Sequence, residues 1–197
     1  MASTYLWILD NGHGKATVGK RSPKLDDGRQ LLEYDFNRKI VAKLIEKFTA
    51  AKYDYHNLVP EVEGDISLQE RVNRANQLEG TQPKMYVSIH GNAYGNGNSW
   101  TSPSGIETYY YSSSLKGRRM ARIFQEHLIE EVGWKDRGIK TANFYVLKYT
   151  TMPAILSENG FYTNKEECKK MLDDSWVNKI ADAHFKAIKD IEDNGGV

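Results

Sequence analysis

The chain has 197 residues, of which 40% are hydrophobic, 11% aromatic and 27% charged. These proportions exclude a disordered, collagen-like or low-complexity chain, and the length favours one domain with one core. The 27 Lys and Arg residues and 26 Asp and Glu residues give a formal net charge of +1. This balance argues against nucleic acid or an anionic membrane as the main partner, because both favour a basic surface.

Several functional classes are excluded by what the sequence lacks. The single cysteine, Cys168, excludes an intrachain disulfide and a Cys-rich zinc site. It lies in a charged helical stretch, and we interpret it as a bystander in the chemistry. No apolar run approaches the roughly 20 residues that a membrane span needs, so we expect no membrane insertion. The apolar run at residues 5–9 is too short for a signal peptide, which predicts synthesis in the cytoplasm.

Predicted strands and helices alternate along the chain. Short apolar runs predict strands at residues 5–9, 53–59, 84–90, 106–112, 144–148 and 153–157. Apolar residues at helical spacing predict helices at residues 33–52, 67–78, 114–132 and 175–193. The second helix opens with a capping box formed by Ser67 and Glu70. We therefore expect an α/β fold in which residues 1–197 form a single domain, with a twisted, mostly parallel β-sheet flanked by helices on both faces.

Three of the predicted strands run into a histidine or an acid next to glycine. The three segments are Asp10-Asn11-Gly12-His13-Gly14, His90-Gly91 and Glu158-Asn159-Gly160. Because the carboxyl ends of parallel strands meet at one edge of a sheet, we expect His13, His90 and Glu158 to lie close together. The polar connection at residues 15–30 leads away from the first of these segments, and its length makes it a candidate mouth of a site.

Two imidazoles and a carboxylate at one sheet edge are typical of a catalytic zinc site. Glu33 opens the first long helix directly after the polar connection and is a candidate third ligand, which leaves Glu158 free as a general base. Each of these residues also has a structural explanation as a loop histidine, a helix-start acid or a turn anchor. No HExxH, P-loop, GxSxG or GxGxxG motif decides between these readings. His127 and His184 lie on or beside apolar helix stripes, and we interpret them as structural.

Six motifs follow one another along nearly the whole chain. They are Asp-Asn-Gly-His-Gly at residues 10–14, Glu-x-x-x-Asn at 33–37, Arg-x-x-x-Ala-Asn at 71–76, Ser-Ile-His-x-Asn-Ala at 88–93, Gly-x-Glu-x-Tyr at 105–109 and Pro-Ala-x-Leu-x-Glu-x-Gly-Phe-x-x-Asn at 153–164. Together they resemble the zinc-dependent N-acetylmuramoyl-L-alanine amidase family of autolysins, cell-division amidases and phage endolysins. Asn11 stands where the family usually has proline, which is expected to loosen that turn.

The resemblance implies one zinc ion held by His13, Glu33 and His90, with Glu158 as the catalytic acid and base. The implied substrate is peptidoglycan, cut by zinc-activated water at the amide between the lactyl group of N-acetylmuramic acid and L-alanine. The basic residues of the segment 15–30 either meet the carboxylates of the stem peptide or are simply solvated. Four further residues are predicted to contact the substrate, namely Asn92, Arg71, Tyr94 and Trp100.

Two other functions stay open at this point. A related zinc carboxypeptidase could cut another peptidoglycan bond, and a non-catalytic peptidoglycan-binding module would need a broken catalytic set. The short, glycine-rich loop at residues 91–105 leaves no room for the blocking helix of regulated cell-division amidases, so an open site is expected. We expect a monomer of the phage-endolysin or signal-less autolysin type, which reaches the bacterial wall after release or non-classical export.

Overall fold

The computed structural model describes residues 3–61, 63–195 and 197. Within this part of the chain, six strands and six helices follow in the order β1 (Leu6–Asn11), α1 (Glu33–Ala51), β2 (Tyr55–Asn57), α2 (Leu68–Gln77), β3 (Lys84–Asn92), β4 (Ile106–Tyr110), α3 (Leu115–Val132), β5 (Asp136–Thr141), α4 (Tyr145–Tyr149), β6 (Ala154–Phe161), α5 (Lys165–Met171) and α6 (Asp174–Asn194). The strands form one sheet with the order β2-β1-β3-β6-β4-β5.

The sheet is mostly parallel, as the sequence predicts. β1 pairs in parallel with β2 and β3, β3 with β6, and β4 with β5, whereas β4 and β6 are antiparallel. The three central strands β1, β3 and β6 therefore present their carboxyl ends at the same edge. Among the predicted site residues, His13 follows β1, whereas His90 lies within β3 and Glu158 within β6.

Helices cover both faces of the sheet, and the alternation of side chains along the strands divides the core into two clusters. Trp7 and Leu9 of β1 belong to the larger cluster, which α1, α3 and α6 complete on one face. Ile8, between them, belongs to the smaller cluster beneath α2 and α4 on the other face. None of the described helices is long and apolar enough to span a lipid bilayer.

Two elements differ from the sequence prediction. The prediction of a strand at residues 144–148 is wrong. The backbone N–H groups of Leu147 and Lys148 both donate to the Phe144 carbonyl oxygen, and these residues belong to the helix α4. A short apolar run has no resolvable period, so its type is decided by tertiary packing. The strand β5 was not predicted, since it is a half-exposed edge strand of mixed polarity that contains Gly138 at φ 73°.

The residues interpreted as structural have partners outside the group of predicted site residues. Cys168 is buried in the larger core cluster. His184 is fully buried, its Nε2 lies 2.9 Å from the Ser157 Oγ, and burial lowers its pKa to about 4. His127 contacts the carboxylate of Asp190 at 3.1 Å on the surface between α3 and α6.

Candidate active site

The register of the central strands brings the predicted site residues together. His90 of β3 is paired directly with Glu158 of β6, and Ile89 is paired with Asn11 at the end of β1. The Gly12 N–H donates to the Ile89 carbonyl oxygen at 3.1 Å, which holds the turn to His13 beside β3. The structure therefore brings His13, His90 and Glu158 together at one edge of the sheet.

His13, Glu33 and His90 form a group that could hold a metal ion. One ligand atom from each residue lies within 4.8 Å of the other two. The Glu33 Oε1 is 3.0 Å from the His90 Nδ1 and 3.3 Å from the His13 Nε2. The two imidazole rings have centroids 5.0 Å apart and planes at 89°, so their nitrogens approach the carboxylate from different directions. Two nitrogens and one carboxylate oxygen are a common donor set for zinc.

The first helix holds this group in place at two points. Glu33 is the first residue of α1, and its backbone N–H donates to the Lys20 carbonyl oxygen at 3.0 Å. One turn later, the Asn37 side-chain amide donates to the Gly12 carbonyl oxygen at 2.9 Å. This bond ties the helix that carries Glu33 to the turn that carries His13. It gives a physical reason for the four-residue spacing of Glu33 and Asn37.

The turn that carries His13 depends on an unusual backbone and on a missing side chain. His13 has a φ of 67°, in the left-handed region that only a few per cent of non-glycine residues adopt. A Cβ added at Gly12 would lie 2.0 Å from the His90 Cε1 and 2.3 Å from its Nε2. The imidazole of His90 therefore occupies the space that any larger residue at position 12 would fill.

The two acids at the site have opposite electrostatic environments. Burial raises the pKa of Glu33, but hydrogen bonds from His13 and His90 outweigh burial and hold its pKa at about 2. Burial of the Glu158 carboxyl, reinforced by the nearby Glu33 carboxylate, raises the pKa of Glu158 well above its ordinary value. Glu33 is thus suited to bind a cation, and Glu158 is suited to carry a proton.

Each of these two acids keeps one buried oxygen without a hydrogen-bond partner among the described residues, the Oε2 atom in both cases. The Lys20 Nζ lies 3.9 Å from the Glu33 Oε2, which is beyond hydrogen-bond distance. A buried acceptor without a partner is unfavourable unless a ligand or water satisfies it. Both oxygens therefore favour a site that is completed by other groups.

The structure gives Arg71 a different role from the predicted substrate contact. Its side chain is only 3% exposed and forms a buried ion pair with Asp10. It also donates to the Asn11 carbonyl oxygen at 3.0 Å, while Asp10 accepts hydrogen bonds from Tyr86 at 2.7 Å and Ser88 at 2.8 Å. Arg71 borders the cleft, but its guanidinium stabilises the end of β1.

Asn11 does not loosen the turn as expected. Its side-chain amide is buried and donates to the Val59 carbonyl oxygen at 3.1 Å. This bond links the end of β1 to the segment that follows β2. The side chain therefore anchors the strand end with a hydrogen bond that proline could not make.

Asn92 lies in the cleft wall and is held by an acid that the sequence did not single out for a role. The Asn92 amide donates to the Glu107 Oε1 at 2.9 Å. Burial raises the pKa of Glu107, but hydrogen bonds from Lys140, Arg137 and Tyr109 outweigh it and hold the pKa at about 2. The signal in the sequence that could have pointed to Glu107 is that it is a charged residue within a buried strand. Its partners Arg137 and Lys140 lie on β5, a strand that the sequence does not predict.

The other two predicted substrate contacts, Tyr94 and Trp100, are not among the residues that line the cleft. Tyr94 is 61% exposed and lies between Ala93 and Gly95, which do line the cleft. Trp100 is partly buried and packs against the larger core cluster. The structure therefore gives Trp100 a packing role and leaves Tyr94 at the rim.

The site opens into a cleft of about 660 Å³. Its lining includes Val18, Gly19 and Lys20 from the predicted mouth segment, Leu68 at the start of α2 and Phe144 before α4. Residues 93–105 contain no helix, which agrees with the expected open site. The cleft is thus accessible to a large substrate.

Known proteins are similar to this chain in sequence and in fold. A family model described as N-acetylmuramoyl-L-alanine amidase matches residues 8–190. The N-acetylmuramoyl-L-alanine amidase LytC of Bacillus subtilis is 35% identical over 182 residues, which are 89% of this chain and 33% of LytC. The endolysin of Bacillus phage SPP1 is 33% identical over 195 residues, 96% of this chain and 66% of the endolysin.

A solved structure of an amidase is similar to this chain over nearly the full length of both chains. The crystal structure of N-acetylmuramoyl-L-alanine amidase from Clostridium difficile 630 has a TM-score of 0.82 and 32% identity, with 98% of each chain covered. The match therefore includes the whole sheet as well as the motifs at its edge. The chain belongs to the N-acetylmuramoyl-L-alanine amidase family.

Proposed function

We propose that this protein is a zinc-dependent peptidoglycan hydrolase. It cleaves the amide between the lactyl group of N-acetylmuramic acid and the L-alanine of the stem peptide. The observation that carries the proposal is the meeting of His13, Glu33 and His90 with Glu158 at one end of an open cleft, in a chain of this family. Its place of action is the bacterial cell wall, where this substrate lies.

The residues present fit a zinc ion. His13, Glu33 and His90 would hold it, which matches the three protein ligands of a catalytic zinc site. The Glu33 Oε2 adds a buried acceptor that a cation would satisfy. When bound, zinc supplies Lewis acidity that favours negative charge on the oxygen of the scissile amide.

Glu158 carries the proton transfers in this proposal. Its carboxylate accepts a proton from the attacking water as the water oxygen bonds to the lactyl carbonyl carbon. The same carboxyl then donates that proton to the alanine nitrogen as the carbon–nitrogen bond breaks. The products are a free lactyl carboxyl group on the glycan and a free amino group on the peptide. Burial and the nearby Glu33 carboxylate raise the pKa of Glu158, which makes its carboxylate a stronger base toward the attacking water.

Digestion of purified sacculi tests the proposal directly. Mass spectrometry should find glycan strands with free lactyl groups and intact stem peptides that begin with alanine. Prior removal of metal with a chelator should abolish release, and added zinc should restore it. Release of a carboxyl-terminal amino acid with the glycan–peptide bond intact would identify a carboxypeptidase instead. Binding to sacculi without any product would identify a non-catalytic module.

A further inference from the structure

The backbone on the two sides of His13 is fixed in different ways. Before His13, the Gly12 N–H donates to the β3 backbone and the Gly12 carbonyl oxygen accepts from Asn37. After His13, the Gly14 N–H donates to the Thr17 Oγ1 at 3.0 Å, and the Thr17 N–H donates back to the Gly14 carbonyl oxygen at 3.0 Å. The Thr17 side chain therefore closes the turn that follows His13.

Thr17 is in turn held by a segment that lies 48 positions further along the chain. Its hydroxyl group donates to the Asp65 Oδ2 at 2.6 Å. The same segment packs directly on the turn, because a Cβ added at Gly14 would lie 1.7 Å from the Gly64 carbonyl oxygen. The Thr17 hydroxyl group thus accepts one hydrogen bond from Gly14 and donates one to Asp65.

Arg71 anchors Asp65 to the buried part of the site. The Arg71 Nη2 lies 3.2 Å from the Asp65 Oδ1, and the Arg71 side chain is itself buried in its ion pair with Asp10. The Arg71 Nε also donates to the Ile66 carbonyl oxygen at 2.9 Å, which fixes the backbone next to Asp65. A continuous chain of polar contacts therefore runs from the end of β1 through Arg71, Asp65 and Thr17 to the Gly14 N–H.

This chain of contacts bears on His13 because of the conformation of that residue. The φ of 67° at His13 lies in the left-handed region, which a non-glycine residue keeps only when its surroundings impose it. Without the Thr17 hydroxyl group, the Gly14 N–H would lose its acceptor and the turn could relax toward an ordinary backbone conformation. The His13 imidazole would then move relative to Glu33 and His90.

We propose that Thr17 and Asp65 are positioning residues for His13 in the metal site. The proposal rests on the proposed function, and it gives these two residues a role in metal affinity rather than in the chemical step. Neither residue belongs to the group of candidate ligands. Groups that orient a metal ligand contribute about 10- to 100-fold to metal affinity, which sets the size of the expected effect.

Variants at position 17 test the proposal. Thr17→Val keeps the branched shape of the side chain and removes its hydroxyl group, whereas Thr17→Ser keeps the hydroxyl group. Glu63→Gln is the matched control, because it removes the 2.8 Å ion pair with Lys15 that joins the same two segments on the surface. Calorimetric titration of the metal-free proteins with zinc measures the affinity. Thermal unfolding of the metal-free proteins checks that every variant is folded.

Thr17→Val should lower the affinity for zinc about tenfold or more, whereas Thr17→Ser and Glu63→Gln should stay within about twofold of the wild type. Asp65→Ala should lower the affinity about threefold, because Thr17 keeps its hydrogen bond from Gly14 and loses only its own acceptor. Wild-type affinity in Thr17→Val, or an equal loss in Thr17→Val and Thr17→Ser, would overturn the proposal.

A double variant separates the positioning of His13 from general support of the fold. If Thr17 acts through His13, adding Thr17→Val to His13→Ala should lower the already weakened zinc affinity by less than about twofold. An equal loss in both backgrounds would overturn the positioning role.

The same titrations distinguish failure of this inference from failure of the proposed function. If His13→Ala binds zinc as tightly as the wild type, His13 is not a ligand and the proposed metal site is wrong. If His13→Ala binds zinc weakly while Thr17→Val binds it as the wild type does, the proposed function stands and only the positioning role is overturned.

Discussion

Gly12 offers a sharp test of the proposed metal centre, because its missing side chain makes room for the His90 imidazole. In Gly12→Ala the new Cβ would lie 2.0 Å from the His90 Cε1, about 1.4 Å closer than the 3.4 Å at which ordinary contact begins. The His90 ring must therefore move by roughly 1 Å or more to relieve this overlap. Zinc–nitrogen bonds, which are about 2.1 Å long, tolerate shifts of only about 0.2 Å. We expect Gly12→Ala to lose His90 as a ligand.

The expected loss of zinc affinity is more than about 100-fold, since disturbing even the groups that orient a ligand costs about 10- to 100-fold. Stability should change by less than about 1 kcal/mol in the metal-free protein, because the overlap is with a side chain that can rotate. Competition with a chromophoric chelator measures the affinity for zinc, and urea unfolding in the presence of a strong chelator measures the stability.

Gly91→Ala is the matched control from the neighbouring strand. Its Cβ would lie 2.9 Å from the Met171 Cε and 3.2 Å from the Phe36 Cδ1, so the added methyl group meets the core and not the histidine. Overpacking of this kind costs about 1–3 kcal/mol of stability, and zinc affinity should stay within about threefold of the wild type. Wild-type zinc affinity in Gly12→Ala would refute the assignment of His90 as a ligand.

Three further predictions concern acid–base chemistry and buried charge. Glu158→Gln should lower kcat/KM about 10²- to 10⁴-fold with unchanged zinc content by metal analysis, and wild-type activity would exclude its proposed role. Asp10→Asn should lower the free energy of unfolding by about 3–5 kcal/mol in urea titrations, because it leaves Arg71 buried without its main partner; the double variant with Arg71→Met should recover part of the loss, and an unchanged stability of Asp10→Asn would contradict this reasoning. The third concerns His184, whose pKa is about 4 when folded and 6.5 in the reference state. Below pH 6.5 the His184 imidazole of the unfolded chain binds a proton, whereas the buried imidazole of the folded protein stays neutral. The contribution of His184 to the free energy of unfolding is therefore complete above pH 6.5 and is lost as the pH falls toward 4. The wild type should therefore lose about 2 kcal/mol more than His184→Gln between pH 7 and pH 5, and parallel losses in both proteins would count against a buried neutral imidazole.

The parts of the site that sequence could predict are those whose position follows from chain topology. His90 and Glu158 lie in neighbouring parallel strands and are paired with each other, so the strand register alone brings them together. Glu33 was predicted because the first residue of a long helix has a defined place after a connecting loop. The observed helix Glu33–Ala51 starts at that residue, as the prediction for residues 33–52 requires.

The parts that sequence could not predict depend on contacts between distant residues. Arg71 and Asp10 are 61 positions apart, and only the packed fold shows that the guanidinium serves Asp10. The same holds for Trp100, which was predicted to contact the substrate but packs against the larger core cluster. The identity of a residue gives the interactions that its side chain can make. Its partners in the fold decide whether the side chain is free to contact a ligand.

This distinction also separates structural acids from candidate catalytic acids at the sheet edge. Asp10 and Glu107 are both buried, and their oxygens are satisfied by cationic and hydroxyl partners that lower their pKa values. Among the carboxylates of the described residues, those with a buried oxygen that lacks a partner are Glu33 and Glu158. Folding gains nothing from leaving such atoms unpaired, since each costs about 1–3 kcal/mol. A bound cation would satisfy the Glu33 oxygen and a proton would satisfy the Glu158 oxygen, and these are the roles that the proposed function gives to the two acids.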